Sequence, residues 1–141
     1  MSEQEATSAL EEAVRRVGDR WTLLIVQALQ AGPRRFNDLS REVPGIAPNV
    51  LSQRLKALER DAVVIARPYS KRPPRAAYEL TAPGRELAGA LALLAQWGAR
   101  SSETASARRH EACGTPLEAR FFCPTCSRVV EGDRSGETRY L

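Results

Sequence analysis

Histidine occurs once in these 141 residues, methionine once and cysteine three times. That scarcity narrows the chemistry available. With His110 as the lone imidazole, ordinary general-base catalysis has little to work with. No carboxylate pair falls where a cleft is expected, and neither a glycine-rich phosphate loop nor a nucleophile triad occurs, so the chain is not expected to be an enzyme. No apolar run approaches the length needed to cross a bilayer, and no membrane partner is expected. Met1 to Glu12 is acidic and polar, without the basic and apolar regions of a signal peptide, so a cytoplasmic protein is expected. The apolar fraction, 43%, is ordinary and argues for a packed core. The length suits one main domain and a small appendage.

The net charge is only +4, but it is unevenly spread. Residues 20–82 hold 11 basic and 5 acidic side chains, a surplus of +6, whereas residues 1–19 carry −3 and residues 110–141 carry −1. A basic surplus gathered on one stretch is what phosphate binding requires, and it makes affinity fall with salt.

That stretch is also the most structured in pattern. Phe36, Leu39 and Val43 recur at helical spacing, with Asn37 as a possible cap, and Pro44-Gly45 breaks the helix. A second helix opens at Ala47-Pro48, because Pro at the first helical position gives up an N–H that has no partner there. On it Leu51, Leu55 and Leu58 form an inward stripe. Asn49, Gln53 and Lys56 fall opposite, flanked by Ser52 and Arg54. Such a face carries the donors and acceptors that read base edges in the major groove, although an ordinary amphipathic surface helix would show the same stripe. The pair Arg34-Arg35 precedes it, either as a phosphate contact or as a solvated pair.

Residues 63–67 and 76–80 have strand character, and between them lies a loop with Pro68, Pro73, Pro74, Lys71, Arg72 and Arg75. A stiff hairpin with a cationic tip resembles the wing of a winged helix, which reaches phosphates or the minor groove; charge on an edge hairpin also serves solubility. Upstream, Leu10, Val14 and Val17 mark a short helix, and Asp19 caps another with Trp21, Leu24, Ile25, Ala28 and Leu29 on its core face. Downstream, Thr81 is placed to cap one long helix on which Leu87, Leu91, Leu94 and Trp97 recur among small residues. Its position outside the winged unit suits a homodimer interface, and it could also complete the monomer core.

All three cysteines and the histidine lie in the tail: His110-x2-Cys113-Gly114, nine residues, then Cys123-Pro124-Thr125-Cys126. Two such pairs look like the knuckles of a zinc ribbon and supply the four N/S ligands of tetrahedral Zn²⁺, one ion per chain. Glu111 or water could replace His110. A Cys123–Cys126 redox pair is the competing reading. The domains expected are a flexible tail (1–8), a winged helix-turn-helix domain with its dimerisation helix (9–100), a linker (101–109), a zinc-ribbon-like motif (110–131) and a second tail (132–141).

The run Gly18-Asp19-Arg20-Trp21-Thr22-Leu23-Leu24-Ile25, then Gly32-Pro33-Arg34-Arg35-Phe36-Asn37-Asp38-Leu39, resembles the HxlR family of bacterial winged helix-turn-helix regulators, relatives of the MarR group. Residues 44–55 (Pro-Gly-Ile-Ala-Pro-Asn-Val-Leu-Ser-Gln-Arg-Leu), the Arg72–Thr81 hairpin and Gln96-Trp97-Gly98 match in the same order. The resemblance spans about residues 9–98. It implies a mainly α (α+β) fold, a homodimer joined through the terminal helices, a recognition helix at Pro48–Arg60 and a wing at Tyr69–Arg75. Many members carry a sensing Cys before the first helix, where this chain reads Ala6-Thr7-Ser8-Ala9; the cysteine-rich tail lies outside the family pattern. The function expected is sequence-specific binding of double-stranded DNA, with an unidentified effector possible; the alternative is a module that docks a protein partner through its winged helix and ribbon.

Overall fold

The structure is a computed structural model and describes residues 7–103, 106 and 108–130. The expected tail at 132–141, most of that at 1–8 and residue 131 of the ribbon lie outside the described residues. The chain divides into two units, one up to Ala92 and one from Leu93, with the division inside a helix.

The first unit begins with α1 (Ala9–Val17), whose amide at Glu11 donates to the Ser8 hydroxyl at 3.0 Å. Next come α2 (Arg20–Leu29), the two-residue β1 (Arg34–Arg35), α3 (Phe36–Glu42) and α4 (Pro48–Arg60). Asp19 caps α2 as its sequence position implies, accepting from the amides of Trp21 and Thr22 at 3.0 and 3.2 Å. Asn37 does not cap α3: that helix starts one residue earlier, after Arg35, and Asp38 reaches back to accept from the Arg35 amide at 3.1 Å. Gly45, at φ +80°, supplies the left-handed turn between α3 and α4.

The core forms where these helices meet. Ile25, Val26 and Leu29 of α2, Leu39 and Val43 from α3 and its end, and Leu51, Leu55 and Leu58 of α4 are all buried, with Val64 and Leu80 from the sheet. On α2, α3 and α4 the apolar spacing read from the sequence is therefore the packed face, whereas Leu10 and Val14 of α1 are exposed.

The hairpin is longer than its strand propensities imply. β2 (Val64–Lys71) and β3 (Pro74–Leu80) run through most of the Pro-rich segment expected to be loop, leaving Arg72-Pro73 as the turn. The sheet tolerates this because Pro68 lies on the edge strand β2 and Pro74 is the first residue of β3, two places where a missing N–H is accepted. The register shifts between Pro68 and Ser70, leaving Tyr69 out of the ladder as a bulge.

The last helix is likewise not one piece. Thr81 caps a single turn, α5 (Ala82–Arg85), accepting from the Gly84 amide at 3.1 Å, and α6 (Leu87–Ala99) starts after Glu86. Gly84 sits so close to the preceding chain that a Cβ there would lie 2.2 Å from the Val63 carbonyl oxygen, a tertiary contact that only glycine allows. Leu87 and Leu91 of α6 pack on the core. In the second unit the helix exposes Leu93, Leu94 and Trp97, and the tail forms a hairpin of β4 (Phe121–Cys123) and β5 (Arg128–Val130). Among the described residues no helix is long and apolar enough to cross a membrane.

Candidate nucleic-acid interface

Helix α4 presents two faces. Its leucine stripe is sealed into the core, and the same 3.6-residue period turns Asn49, Gln53 and Lys56 outward, all exposed, with Ser52 half-buried at the edge. The outward face is polar, uncharged at Asn49, Ser52 and Gln53 and charged from Lys56 onward.

Arg54 is placed differently from the expectation that it reads bases. It turns toward the start of α2, where its Nε donates to Asp19 Oδ1 at 2.9 Å and its Nη2 to Oδ2 at 3.3 Å. One carboxylate thus caps α2 and clamps α4 to it. Burial pushes the Asp19 carboxyl up, but the Arg54 guanidinium and the Thr22 and Trp21 amides outweigh this and hold it below the usual aspartate range. Arg34 is similarly engaged, with Nε on Glu42 Oε1 at 2.8 Å and Nη1 on the Pro33 carbonyl at 3.0 Å, which ties β1 to the end of α3.

Arg35 points elsewhere. Its guanidinium lies 4.7 Å from the centroid of the Tyr69 ring, the residue that the bulge throws out of the hairpin. Lys71, Arg72 and Arg75 are exposed along the distal hairpin, and none of them has a carboxylate within ion-pair distance among the described residues. Lower on the hairpin Arg67 is paired with Glu79 across the strands. The free positive charge therefore sits at the tip and not at the base.

In the second unit the four expected ligands form two separate pairs. His110 Nδ1 lies 3.3 Å from Cys113 Sγ, in a turn closed by the Gly114 amide on the His110 carbonyl at 2.8 Å, with Gly114 at φ +69°. The Cys126 amide donates to Cys123 Sγ at 3.5 Å within the β4–β5 turn. Hydrogen bonds from the Thr115 side chain and backbone, then His110, draw the Cys113 thiol below its usual value, and the Cys126 amide does so for Cys123. Among the described residues no three His, Cys, Asp or Glu side chains are gathered into one cluster, so the two pairs are preformed and not joined.

A helix pair with an outward polar recognition face, followed by a basic two-stranded hairpin, is the winged helix-turn-helix arrangement of DNA-binding regulators. The profile of HxlR-like helix-turn-helix proteins matches residues 16–106, and the chain belongs to that family. The HTH-type transcriptional regulator Rv3095 of Mycobacterium tuberculosis is 38% identical over 122 residues, covering 84% of this chain and 77% of the relative. The crystal structure of the HTH-type transcriptional regulator YtcD aligns with a TM-score of 0.63 and 36% identity, over 67% of this chain and 96% of that one. A MarR-family regulator from Porphyromonas gingivalis W83 aligns at 0.61 and 28% identity, over 70% and 94%. The chain is thus a transcription regulator with a helix-turn-helix DNA-binding domain.

Sequence spacing located the outward face of α4 but not the use of Arg54, whose partner lies 35 residues away in sequence. It also passed over Arg41 and Tyr69, which no periodicity marks. Because Asp19 has a folded pKa below its unfolded one, its pairing adds stability in full above the ordinary aspartate range and loses it as pH falls through the folded value. Both side chains are more than a third exposed, so the pair is worth roughly 0.5 kcal/mol. Asp19→Asn, which retains a good cap, is expected to be less stable than the parent by that amount at neutral pH in urea titrations, with the gap closing as pH falls through the folded value of Asp19. A gap that stays constant into acid would remove the pair from the stability of the helix-turn-helix.

Proposed function

We propose that this chain is a homodimeric, sequence-specific regulator that lays α4 in the major groove and its hairpin along the backbone or minor groove. The observation that carries this reading is the division of α4, with Leu51, Leu55 and Leu58 buried and Asn49, Gln53 and Lys56 held out. Asn49, Ser52 and Gln53 read base edges, and Lys56 meets phosphate. Lys71, Arg72 and Arg75 hold the backbone from the wing. Arg54 and Arg34 act as positioning residues, because acidic partners hold both against the fold with most of each side chain buried.

The homodimer reading is supported by apolar surface that the single chain leaves open. On α1, Leu10 is 74% and Val14 56% exposed; on α6, Trp97 is 69% exposed. Covering such side chains against a second copy removes them from water, and two-fold symmetry then sets two recognition helices on two half-sites. An effector would act by changing that spacing, and no residue is assigned to one.

Zinc is the further element of this reading. The donor chemistry of His110, Cys113, Cys123 and Cys126 fits Zn²⁺, and each pair already sits in a turn, with Cys113 Sγ hydrogen-bonded to the Thr115 hydroxyl oxygen at 3.2 Å and the Cys126 amide donating to Cys123 Sγ at 3.5 Å. A bound ion would draw the two turns together and supply folding energy to a segment that exposes Phe121, Phe122, Val129 and Val130.

In equilibrium binding, Gln53→Ala is expected to lose discrimination at one base position by about 1–3 kcal/mol, whereas Arg72→Ala weakens all duplexes alike and lowers the salt slope by about one. Parent-like behaviour of both would reject this assignment of the face. For the tail, elemental analysis of the purified chain is expected to give one zinc per chain, and Cys123→Ser none. Retention of full zinc by Cys123→Ser would exclude the proposed ligand set.

A further inference from the structure

Between α3 and the hairpin lies a cleft of about 490 Å³ lined by Arg35, Asn37, Arg41, Tyr69, Arg75 and Tyr78. Three guanidinium groups face one carboxylate there, that of Asp38, and Asp38 is already committed. Its Oδ2 accepts from the Arg35 amide at the start of α3 and its Oδ1 from Arg41 Nη2 at 3.0 Å. A second bond, from Arg41 Nε to the Asn37 carbonyl at 3.3 Å, fixes the base of that side chain while 77% of it remains in solvent. Asp38 therefore orients Arg41 and leaves the cleft with a surplus of two positive charges.

The bulge in β2 sets the other wall. Because Tyr69 falls outside the ladder, its ring leaves the strand alternation and lies against the Arg35 guanidinium, 4.7 Å away. Stacking holds Arg35 by its face and leaves the in-plane N–H groups open, the geometry that grips an oxyanion in bidentate fashion. Arg75 stands on the hairpin side with no carboxylate partner among the described residues. Burial, then the charge of Glu59, pushes the Tyr78 hydroxyl above its ordinary range, so it stays a neutral donor.

The geometry points to this cleft as the seat of one DNA backbone phosphate, gripped by Arg35 and Arg41 on the α3 side and by Arg75 on the hairpin, with Tyr69 as the positioning residue for Arg35. The inference deepens the DNA-binding reading and rests on it. A backbone phosphate is favoured over a free small anion because the cleft is open and its cations are exposed, where a lone ion gains little through solvent screening. DNA already held by α4 and the wing tip presents its phosphate at high effective concentration. The seat carries no base information. Its role is to fix the angle between the hairpin and the recognition helix on the duplex.

The test uses the full chain, a selected operator duplex and a scrambled duplex, with binding followed over a salt series. Arg41→Gln and Arg35→Gln are each expected to weaken both duplexes by the same factor, roughly tenfold, and to lower the salt slope by about one. Tyr69→Ala should reproduce the Arg35→Gln loss, and Tyr69→Phe should recover most of it, because the ring and not the hydroxyl holds the guanidinium. Unchanged affinity and slope in both Arg variants, with the parent binding normally, would overturn the seat while leaving the DNA reading in place. A parent that binds neither duplex would overturn both. Calorimetry with inorganic pyrophosphate on DNA-free protein is expected to show no saturable binding; saturable binding abolished by Arg41→Gln would reassign the cleft to a free anion and overturn the proposal.

Discussion

Burial of Leu51, Leu55 and Leu58 in the core, where α4 packs on α2 and β2, is the constraint from which the rest of the DNA-binding surface follows. A helix with one face locked into a core has no rotational freedom left, so its remaining side chains acquire fixed directions. Asn49, Gln53 and Lys56 point outward for that reason alone. Truncating one of these leucines would loosen the core by about 2–5 kcal/mol and blur the direction of every reading residue together. Stability and recognition are thus one property of α4.

Polar contacts then refine what the core sets. Asp19 serves as the cap of α2 and the anchor of Arg54, so a single carboxylate couples the angle of α4 to the start of α2. Arg34 binds β1 to the end of α3 through Glu42, and Asp38 caps α3 while holding Arg41. In each case an acidic residue at the surface or half-buried beneath it holds an arginine in one direction. Such pairs add little to stability, and their contribution is to spend rotamer entropy before DNA arrives. Arg72 and Arg75 have no acidic partner among the described residues and stand along the distal hairpin, where a phosphate is the natural counter-charge.

Local signals made much of this legible from residues alone. The leucine period of α4, Pro48 at its first turn and Asp19 before α2 act over a few residues and mean the same thing in any fold. What escaped depends on neighbours distant in sequence. The hairpin reads as loop because its prolines disfavour strands, and their places in the sheet make them acceptable: Pro68 on the edge strand β2, Pro73 in the turn and Pro74 at the first residue of β3. Thr81 and the leucines after it read as one helix, whereas the chain breaks at Glu86, two residues beyond the point where Gly84 packs under the Val63 carbonyl. Arg54 looks like a base reader by spacing, and only the fold reveals Asp19 beside it. For the tail, Cys and His spacing implies four ligands, and the folded chain holds them as two separate pairs.

The most direct test of a dimer that reads DNA with two copies of α4 is a hydroxyl-radical footprint of the full chain on a selected operator. Two protected patches about one helical turn apart, related by a two-fold axis and flanked by weaker wing protections, are the expected result. One protected patch at saturating protein, or uniform protection that ignores sequence, would contradict it.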